Sequence, residues 1–242
     1  MLEHNKIHYG DAYELIKLLP DKSVDLIITD PPYLMGNLRK DCKSRLSKNM
    51  QSVCAELFEA DIVNGLKPEI LSEFIRVLKT INCYIWCNKA QIPDYLDFFV
   101  KQHNCRFEIL VWHKRNAPPL FSNRYLPDKE YCLYFRKGGY CNPQSYDNAK
   151  TVLEGPLNVG DKKRFRHPTI KPLRFIRTLI YNSSKIGDLI LDPFMGSGMT
   201  AIAATEMGRR FIGFENNHKW HKIACDRLNG IDALGQIAFL LR

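Results

Sequence analysis

The stretch "LILDPFMGSGMT", Leu189 to Thr200, combines a short apolar strand, a glycine-rich turn and the start of a helix. Gly196 and Gly198 allow a tight turn and let a ligand approach the backbone closely. The next apolar run, Phe211 to Glu215, ends in an acid where Rossmann-like sites hold ribose hydroxyls. Glycines followed by an acid at the tip of the next strand predict a nucleoside-binding unit. A Walker A loop is excluded, because no Gly-Lys-Ser/Thr follows the glycines.

Short apolar runs alternate with amphipathic segments along most of the chain, which predicts an α/β fold with a doubly wound, Rossmann-like parallel sheet. The predicted strands are Lys6–Tyr9, Val24–Thr29, Cys83–Cys87, Arg106–His113, Glu130–Phe135, Leu189–Asp192 and Phe211–Glu215. The predicted helices are Ala12–Leu19, Pro68–Lys79, Pro93–His103, Pro172–Tyr181, Thr200–Met207 and Asn217–Leu228.

Two stretches do not follow this alternation, Leu34 to Asn64 and Lys114 to Arg166. Long irregular segments inside a compact domain are usually functional or mobile, so we expect substrate contacts there. The length of 242 residues favours one domain, residues 1–242, that carries both segments as insertions.

Four acids, Asp11, Asp30, Asp192 and Glu215, fall at the carboxyl ends of predicted strands. Ligands bind at that edge of an open α/β sheet. A single acid there is more often a helix cap, and Asp11 alone fits that description. Four acids at one edge predict a binding site.

Composition favours an anionic partner. Lys and Arg number 35 against 26 Asp and Glu, a net charge of +9, so nucleic acid is the first candidate, with a merely basic soluble protein as the alternative. The eight cysteines form no Cys-x-x-Cys pair, so we expect neither a metal site nor a disulfide framework. No apolar run is long enough for a membrane span, and "MLEHNKIHYG" has no signal-peptide core, so we expect a soluble, cytoplasmic protein.

A second motif, "DPPY" from Asp30 to Tyr33, stops a buried strand on a carboxylate and follows it with two prolines that cannot donate hydrogen bonds. Together with "DPFMGSG" (192–198) it is similar to the AdoMet-dependent amino-methyltransferases of DNA. The order, catalytic motif first, resembles their β class. "HPTIKP" (167–172), "VWHKRNAPP" (111–119) and "EYCLYFRKG" (130–138) also resemble family segments, with Ile170 as a departure where the family often has Gln.

The resemblance implies a methyltransferase sheet with one antiparallel strand, S-adenosyl-L-methionine (AdoMet) as cofactor and S-adenosylhomocysteine as product. Asp30 and the Pro31 carbonyl would accept the two protons of an exocyclic amine, which draws its lone pair out of the ring plane. Pro32 would stiffen the motif and Tyr33 would stack on a base flipped out of the duplex.

The resemblance also implies the cofactor site. Glu215 would hold the ribose hydroxyls, Asp11 the adenine amine, Asp192 the methionine amino group, and Lys171 or Thr169 the methionine carboxylate. The remaining expected cofactor contacts are Ala12, Phe194, Gly196, Ser197, Gly198, Thr200 and Asn216.

Basic clusters in the two irregular segments are expected to neutralise DNA phosphates, although each side chain taken alone could be a solvated surface charge. The segments Asn116–Tyr125 and Tyr140–Arg166 are expected to read bases. The expected DNA contacts are Arg39, Lys40, Lys43, Arg45, Lys114, Arg115, Asn116, Arg124, Lys162, Lys163, Arg164 and Arg166.

The leading hypothesis is a site-specific DNA adenine N6-methyltransferase, because Asp30 in place of a serine favours adenine within the family. Three alternatives remain: N4-cytosine methylation, a catalytically silent DNA-binding partner with the same fold, and RNA methylation. Double-stranded DNA is the expected partner, and no membrane is. The resemblance also allows a homodimer, a cognate restriction endonuclease, and a bacterial or phage origin.

Overall fold

The computed structural model describes residues 2–34, 64–117, 125–165 and 170–231. Within these residues one sheet contains eight strands. They are β1 (Lys6–Tyr9), β2 (Leu26–Thr29), β3 (Ile81–Cys87), β4 (Arg106–Lys114), β5 (Lys129–Lys137), β6 (Val152–Gly155), β7 (Leu189–Asp192) and β8 (Arg210–Glu215). The helices are α1 (Ala12–Leu15), α2 (Glu69–Val77), α3 (Ile92–Leu96), α4 (Val159–Phe165), α5 (Leu173–Ser183), α6 (Met199–Glu206) and α7 (His218–Leu228). A 3-10 turn, Ile16–Leu18, continues α1, and a π-helical turn, Asp97–Gln102, continues α3.

The strand order is β1-β8-β7-β2-β3-β5-β4-β6. β5 runs antiparallel to both of its neighbours, and the other pairs are parallel. This confirms the predicted doubly wound sheet, mostly parallel with one antiparallel strand. β2 lies between β7 and β3 at the centre, so the DPPY turn and the glycine-rich turn leave neighbouring strands.

Each face of the sheet carries its own apolar core. Helices α5, α6 and α7 cover one face, where Phe175, Leu179 and Ala203 are buried. Helices α1 and α2 and the π-helical turn cover the other, where Phe74 and Phe99 are buried. All seven residues of β3 are buried, as expected for a central strand that is covered on both faces.

Most predicted elements form within one to three residues of their expected ends, but the segment 114–166 is more regular than expected. It contains β6, an edge strand whose residues alternate between exposed and buried. It also contains α4, whose sequence "VGDKKRF" has too few apolar residues to show an apolar stripe. Of the segment 34–64, the described residues include only its ends, Leu34 and Asn64, which form an isolated antiparallel bridge. None of the described helices has the length and apolar character needed to cross a membrane.

The glycine-rich turn provides a test of this packing. Gly198 has a φ of 81° and caps α6, and a Cβ placed on it would lie 3.1 Å from the Ala224 Cβ and 3.2 Å from the Ala224 backbone. Gly198→Ala combines left-handed strain with this contact, so we expect it to lower the free energy of unfolding by about 2 kcal/mol or more. Urea denaturation measures the loss.

The matched control is Gly160→Ala. Gly160 lies in α4, and a Cβ there would meet no atom within 4 Å. Because alanine favours a helix more than glycine does, we expect the free energy of unfolding of this variant to be unchanged or to rise by up to about 1 kcal/mol. Equal losses in the two variants would contradict the packing described for Gly198.

Candidate active site

A cavity of about 410 Å³ opens at the carboxyl edge of the sheet. Its wall includes all four residues of the DPPY motif, Asp30, Pro31, Pro32 and Tyr33. It also includes ten of the predicted cofactor contacts, namely Asp11, Ala12, Lys171, Asp192, Phe194, Gly196, Ser197, Thr200, Glu215 and Asn216. Gly198 lies behind this wall as the cap of α6, and Thr169 lies outside the described residues.

Glu215 fixes the glycine-rich turn to the end of β8. Its Oε2 accepts a hydrogen bond from the Gly196 amide at 2.8 Å, and its Oε1 accepts one from the Asn217 amide at 2.8 Å. Burial raises the pKa of Glu215 to about 7, although these amide donors favour the charged form. The carboxylate is therefore preorganised by the backbone at the predicted ribose position.

Asp192 has structural partners in the same turn. The Thr200 hydroxyl donates to its Oδ2 at 2.6 Å, and the Phe194 amide donates to its Oδ1 at 3.2 Å. Burial raises the pKa of Asp192 to about 7. Asp192 thus links β7 to the first turn of α6 and also lines the cavity.

Asp11 caps α1, because its Oδ1 accepts a hydrogen bond from the Tyr13 amide at 2.7 Å. The Tyr13 ring meets the Phe194 ring edge to face, with centroids 6.2 Å apart. Both rings line the cavity, so α1 and the turn after β7 together form one aromatic wall.

An arginine in α7 that sequence analysis did not single out supports the glycine-rich turn. Arg227 in α7 is buried, and its Nη1 donates to the Ser197 carbonyl at 2.7 Å. Its guanidinium also lies 4.0 Å from the centroid of the Phe165 ring in α4. No local pattern marks Arg227, since its neighbours in sequence are typical of an amphipathic helix.

The DPPY turn is held by the loop that follows β3. The Gln91 side chain is buried and donates to the Pro32 carbonyl at 3.0 Å. The Asn88 side chain donates to the Leu34 carbonyl at 2.7 Å. Sequence reasoning missed both residues, because their partners are more than fifty positions away.

Asp30 has one engaged oxygen and one free oxygen. The Lys171 Nζ lies 2.6 Å from Oδ2, whereas Oδ1 is buried and has no hydrogen-bond partner among the described residues. Burial raises the pKa of Asp30, and the Lys171 ammonium acts in the opposite direction. Lys171 also donates to the Tyr33 hydroxyl at 3.2 Å.

A second carboxylate, Glu130, completes this group and was not among the predicted site residues. Its Oε2 lies 3.0 Å from the Lys171 Nζ, and its Oε1 lies 2.6 Å from the Lys114 Nζ. Glu130 opens the "EYCLYF" strand, and only its place in a family segment could have drawn attention to it. Lys114, expected to contact phosphates, is largely buried, with 14% of its side chain exposed.

The other predicted DNA contacts differ in their exposure and in the groups that they contact. Arg115 is exposed, and Asn116 accepts a hydrogen bond from the Leu157 amide at 2.7 Å. Lys162 lines the cavity, and the Arg164 guanidinium lies 5.5 Å from the Phe165 ring centroid. The predicted residues Arg39, Lys40, Lys43, Arg45, Arg124 and Arg166, and the side chain of Lys163, lie outside the described residues.

Comparison with known proteins agrees with this architecture. The chain is 31% identical to the Type II methyltransferase M2.MboI of Moraxella bovis, over 93% of this chain and 88% of that protein. It is 29% identical to the DNA adenine methyltransferase YhdJ of Escherichia coli strain K12, over 94% and 83%. Among solved structures, the M1.HpyAVI–SAM complex matches with a TM-score of 0.65 and 25% identity, over 93% of this chain and 98% of that one.

The family model for N6 and N4 methyltransferases, described as DNA methylase, matches residues 24–226. That range includes the DPPY turn, the glycine-rich turn and Glu215. The chain therefore belongs to this family of DNA methylases.

Proposed function

We propose that this protein transfers a methyl group from AdoMet to the N6 amine of an adenine in DNA. The observation that carries the proposal is that Asp30, whose buried Oδ1 has no hydrogen-bond partner among the described residues, lines a cavity shared with the glycine-rich turn. The name of the relative YhdJ, a DNA adenine methyltransferase, supports adenine as the base. We further propose that residues 1–242 act as one catalytic domain, with DNA contacts in the segments 34–64 and 114–166.

The residues around the cavity fit AdoMet. A volume of about 410 Å³ lies within the range of about 300–1,000 Å³ that is typical of small-molecule sites. Gly196 and Ser197 give close backbone approach, and Glu215 offers a fixed carboxylate for hydroxyl groups. The related structure of M1.HpyAVI is named as a complex with SAM. Bound AdoMet would supply an electrophilic methyl group on a sulfonium sulfur.

The side chains of the DPPY turn would prepare the amine for attack. Asp30 Oδ1 accepts one N–H of the adenine amine and the Pro31 carbonyl accepts the other, which makes the nitrogen lone pair available. The Tyr33 ring packs against the base. Because these groups line a cavity and not a flat surface, the base must leave the duplex stack to reach them.

Electrostatics supports DNA as the substrate. The net charge of +9 and the exposed Arg115 favour binding to phosphates, and Lys162 brings a cation to the cavity wall. We also propose a cognate restriction endonuclease as a partner, which the name of the relative M2.MboI, a Type II methyltransferase, supports. A homodimer and a cytoplasmic location are further proposals.

Replacing Asp30 tests the catalytic assignment. We expect Asp30→Ala to bind AdoMet within about twofold of wild type and to lose about a hundredfold or more in methyl transfer, because one preorganised acceptor is lost. Calorimetry measures the first quantity, and incorporation of labelled methyl groups into DNA measures the second. Asp94→Ala, at an exposed position in α3, is the matched control. Wild-type turnover in Asp30→Ala would refute the assignment.

Analysis of the product identifies the base. DNA methylated by the purified enzyme should yield N6-methyladenine after digestion to nucleosides and mass spectrometry. The family includes N4 methyltransferases, so N4-methylcytosine is the specific alternative. Finding N4-methylcytosine without N6-methyladenine would replace the adenine proposal.

AdoMet binding should depend on pH through Glu215. Because its pKa is about 7, Glu215 is mostly protonated near pH 6 and mostly ionised near pH 8. The ionised carboxylate is the better acceptor for ribose hydroxyls. We expect affinity to rise about tenfold between about pH 6 and about pH 8, as measured by calorimetry. Glu215→Gln should lose most of this dependence, and Asp192 would account for the remainder. An affinity in the wild type that does not change with pH would argue against the ribose contact.

A further inference from the structure

A network of alternating charges runs from the DPPY turn to β4. The Lys171 Nζ lies 2.6 Å from Asp30 Oδ2 and 3.0 Å from Glu130 Oε2. The other oxygen of Glu130 lies 2.6 Å from the Lys114 Nζ. Two carboxylates therefore alternate with two ammonium groups, and the network as a whole is neutral.

The Lys171 ammonium has three protons to donate. The ammonium donates to Asp30 Oδ2 at 2.6 Å and to the Tyr33 hydroxyl at 3.2 Å, and it forms an ion pair with Glu130 Oε2 at 3.0 Å that is not a hydrogen bond. Only 8% of the Lys171 side chain is exposed. Lys171 thus joins the first and last residues of the DPPY motif to Glu130.

We propose that Glu130 is a positioning residue for methyl transfer and acts through Lys171. Glu130 holds the ammonium at a point where it engages only Oδ2 of Asp30, which leaves Oδ1 as the acceptor for the target amine. This inference rests on the proposed function, because it assigns Asp30 to the amine. It differs from the expectation that Lys171 binds the methionine carboxylate, since here the ammonium is buried and paired with two carboxylates of the protein.

The charges of the network explain why a glutamate is needed. Without the Glu130 charge, the ammonium groups of Lys171 and Lys114 would have Asp30 as their one remaining carboxylate in the network. A buried ammonium that loses one of its two carboxylate partners is destabilised, so Lys171 would shift further toward Asp30 and compete for Oδ1. Burial raises the pKa of Glu130, but Lys171 and Lys114 outweigh this and bring it to about 2, so Glu130 stays ionised.

The test compares Glu130→Gln with wild type. We expect kcat to fall about tenfold to a hundredfold, as is usual when a reacting group is slightly misplaced, while the Kd for AdoMet changes by less than about twofold. A lysine that binds the cofactor would instead weaken AdoMet binding when it is replaced, so Lys171→Met should also leave this Kd unchanged.

The pH profile of kcat gives a readout that a purely structural role would not move. Its acid limb should report ionisation of Asp30. Removing the negative charge of Glu130 should shift the limb to lower pH, and removing the positive charge of Lys171 should shift it to higher pH. The titratable groups that act on Asp30 or are influenced by it are Lys171, Glu130, Tyr33, Asp192, Cys87 and Cys132.

Two further variants keep the test decisive. Asp128→Asn makes the same charge change two residues away, where the carboxylate lies 3.8 Å from the His113 Nε2, and should keep wild-type kcat. Glu130→Gln leaves the Lys114 ammonium without its carboxylate partner. The double variant Glu130→Gln, Lys114→Met also removes that ammonium, so it should remain folded even if Glu130→Gln alone is unstable. The role of Glu130 would be overturned if Glu130→Gln kept the wild-type kcat or if its acid limb did not move. It would also be overturned if AdoMet binding weakened in this variant by the same factor as kcat. A wild-type protein that methylates no DNA would instead overturn the proposed function, and this inference with it.

Discussion

The parallel pairing of β2 with β7 is the constraint on which the rest of the active site depends. Ile27 pairs with Leu191, so Asp192 ends its strand level with Ile28. Asp30 therefore lies two residues further out, about 6–7 Å along the strand direction. On the other side, Tyr9 of β1 pairs with Glu215 of β8, so the turn that carries Asp11 begins beside that acid. The registers thus place the site at two levels along the strand direction. The glycine-rich turn and Glu215 form the level nearer the sheet, and the DPPY turn forms the level further out.

Preorganisation of this site has a cost in stability. Asp192 and Glu215 have pKa values of about 7 in the folded chain, well above those of free carboxyl groups, because burial disfavours their charged forms. The folded state then holds more protons than the unfolded state between about pH 4.5 and about pH 7, so these groups lower stability as pH rises through that range. Glu130 behaves in the opposite way, because two ammonium groups depress its pKa.

The sequence predicted the parts of the fold and site that have local signals. Strands β1 and β7 were predicted with the bounds that the structure has: β7 is an apolar run that ends at an acid, and β1 ends just before a glycine. Prolines marked the DPPY turn and glycines marked the turn after β7. Four acids were expected at one edge because strand ends of a parallel sheet share an edge.

What the sequence could not predict depends on distant contacts. Lys171 lies 141 positions from Asp30 in the chain, and Gln91 lies 59 positions from Pro32. Their hydrogen bonds exist only after the sheet has formed, so no local pattern marks them. The edge strand β6 and the polar helix α4 were missed for a related reason: neither has an apolar face that differs clearly from a loop. Lys114 was expected to be an exposed phosphate contact because it lies in a basic cluster. Its burial beside Glu130 depends on the pairing of β4 with β5, which the local sequence does not reveal.

The contacts of α4 explain why an apparently irregular segment is part of the active site. Phe165 of α4 packs on the Arg227 guanidinium, and Arg227 donates to the Ser197 carbonyl in the glycine-rich turn. The same helix carries Lys162 to the cavity wall. Burial lowers the pKa of Lys162, whereas Glu130 acts to raise it. One short helix therefore packs on Arg227, which supports the glycine-rich turn, and places Lys162 on the cavity wall within the electrostatic influence of Glu130. A substitution that displaces α4 would therefore be expected to affect both the support of the glycine-rich turn and the cavity wall near Glu130.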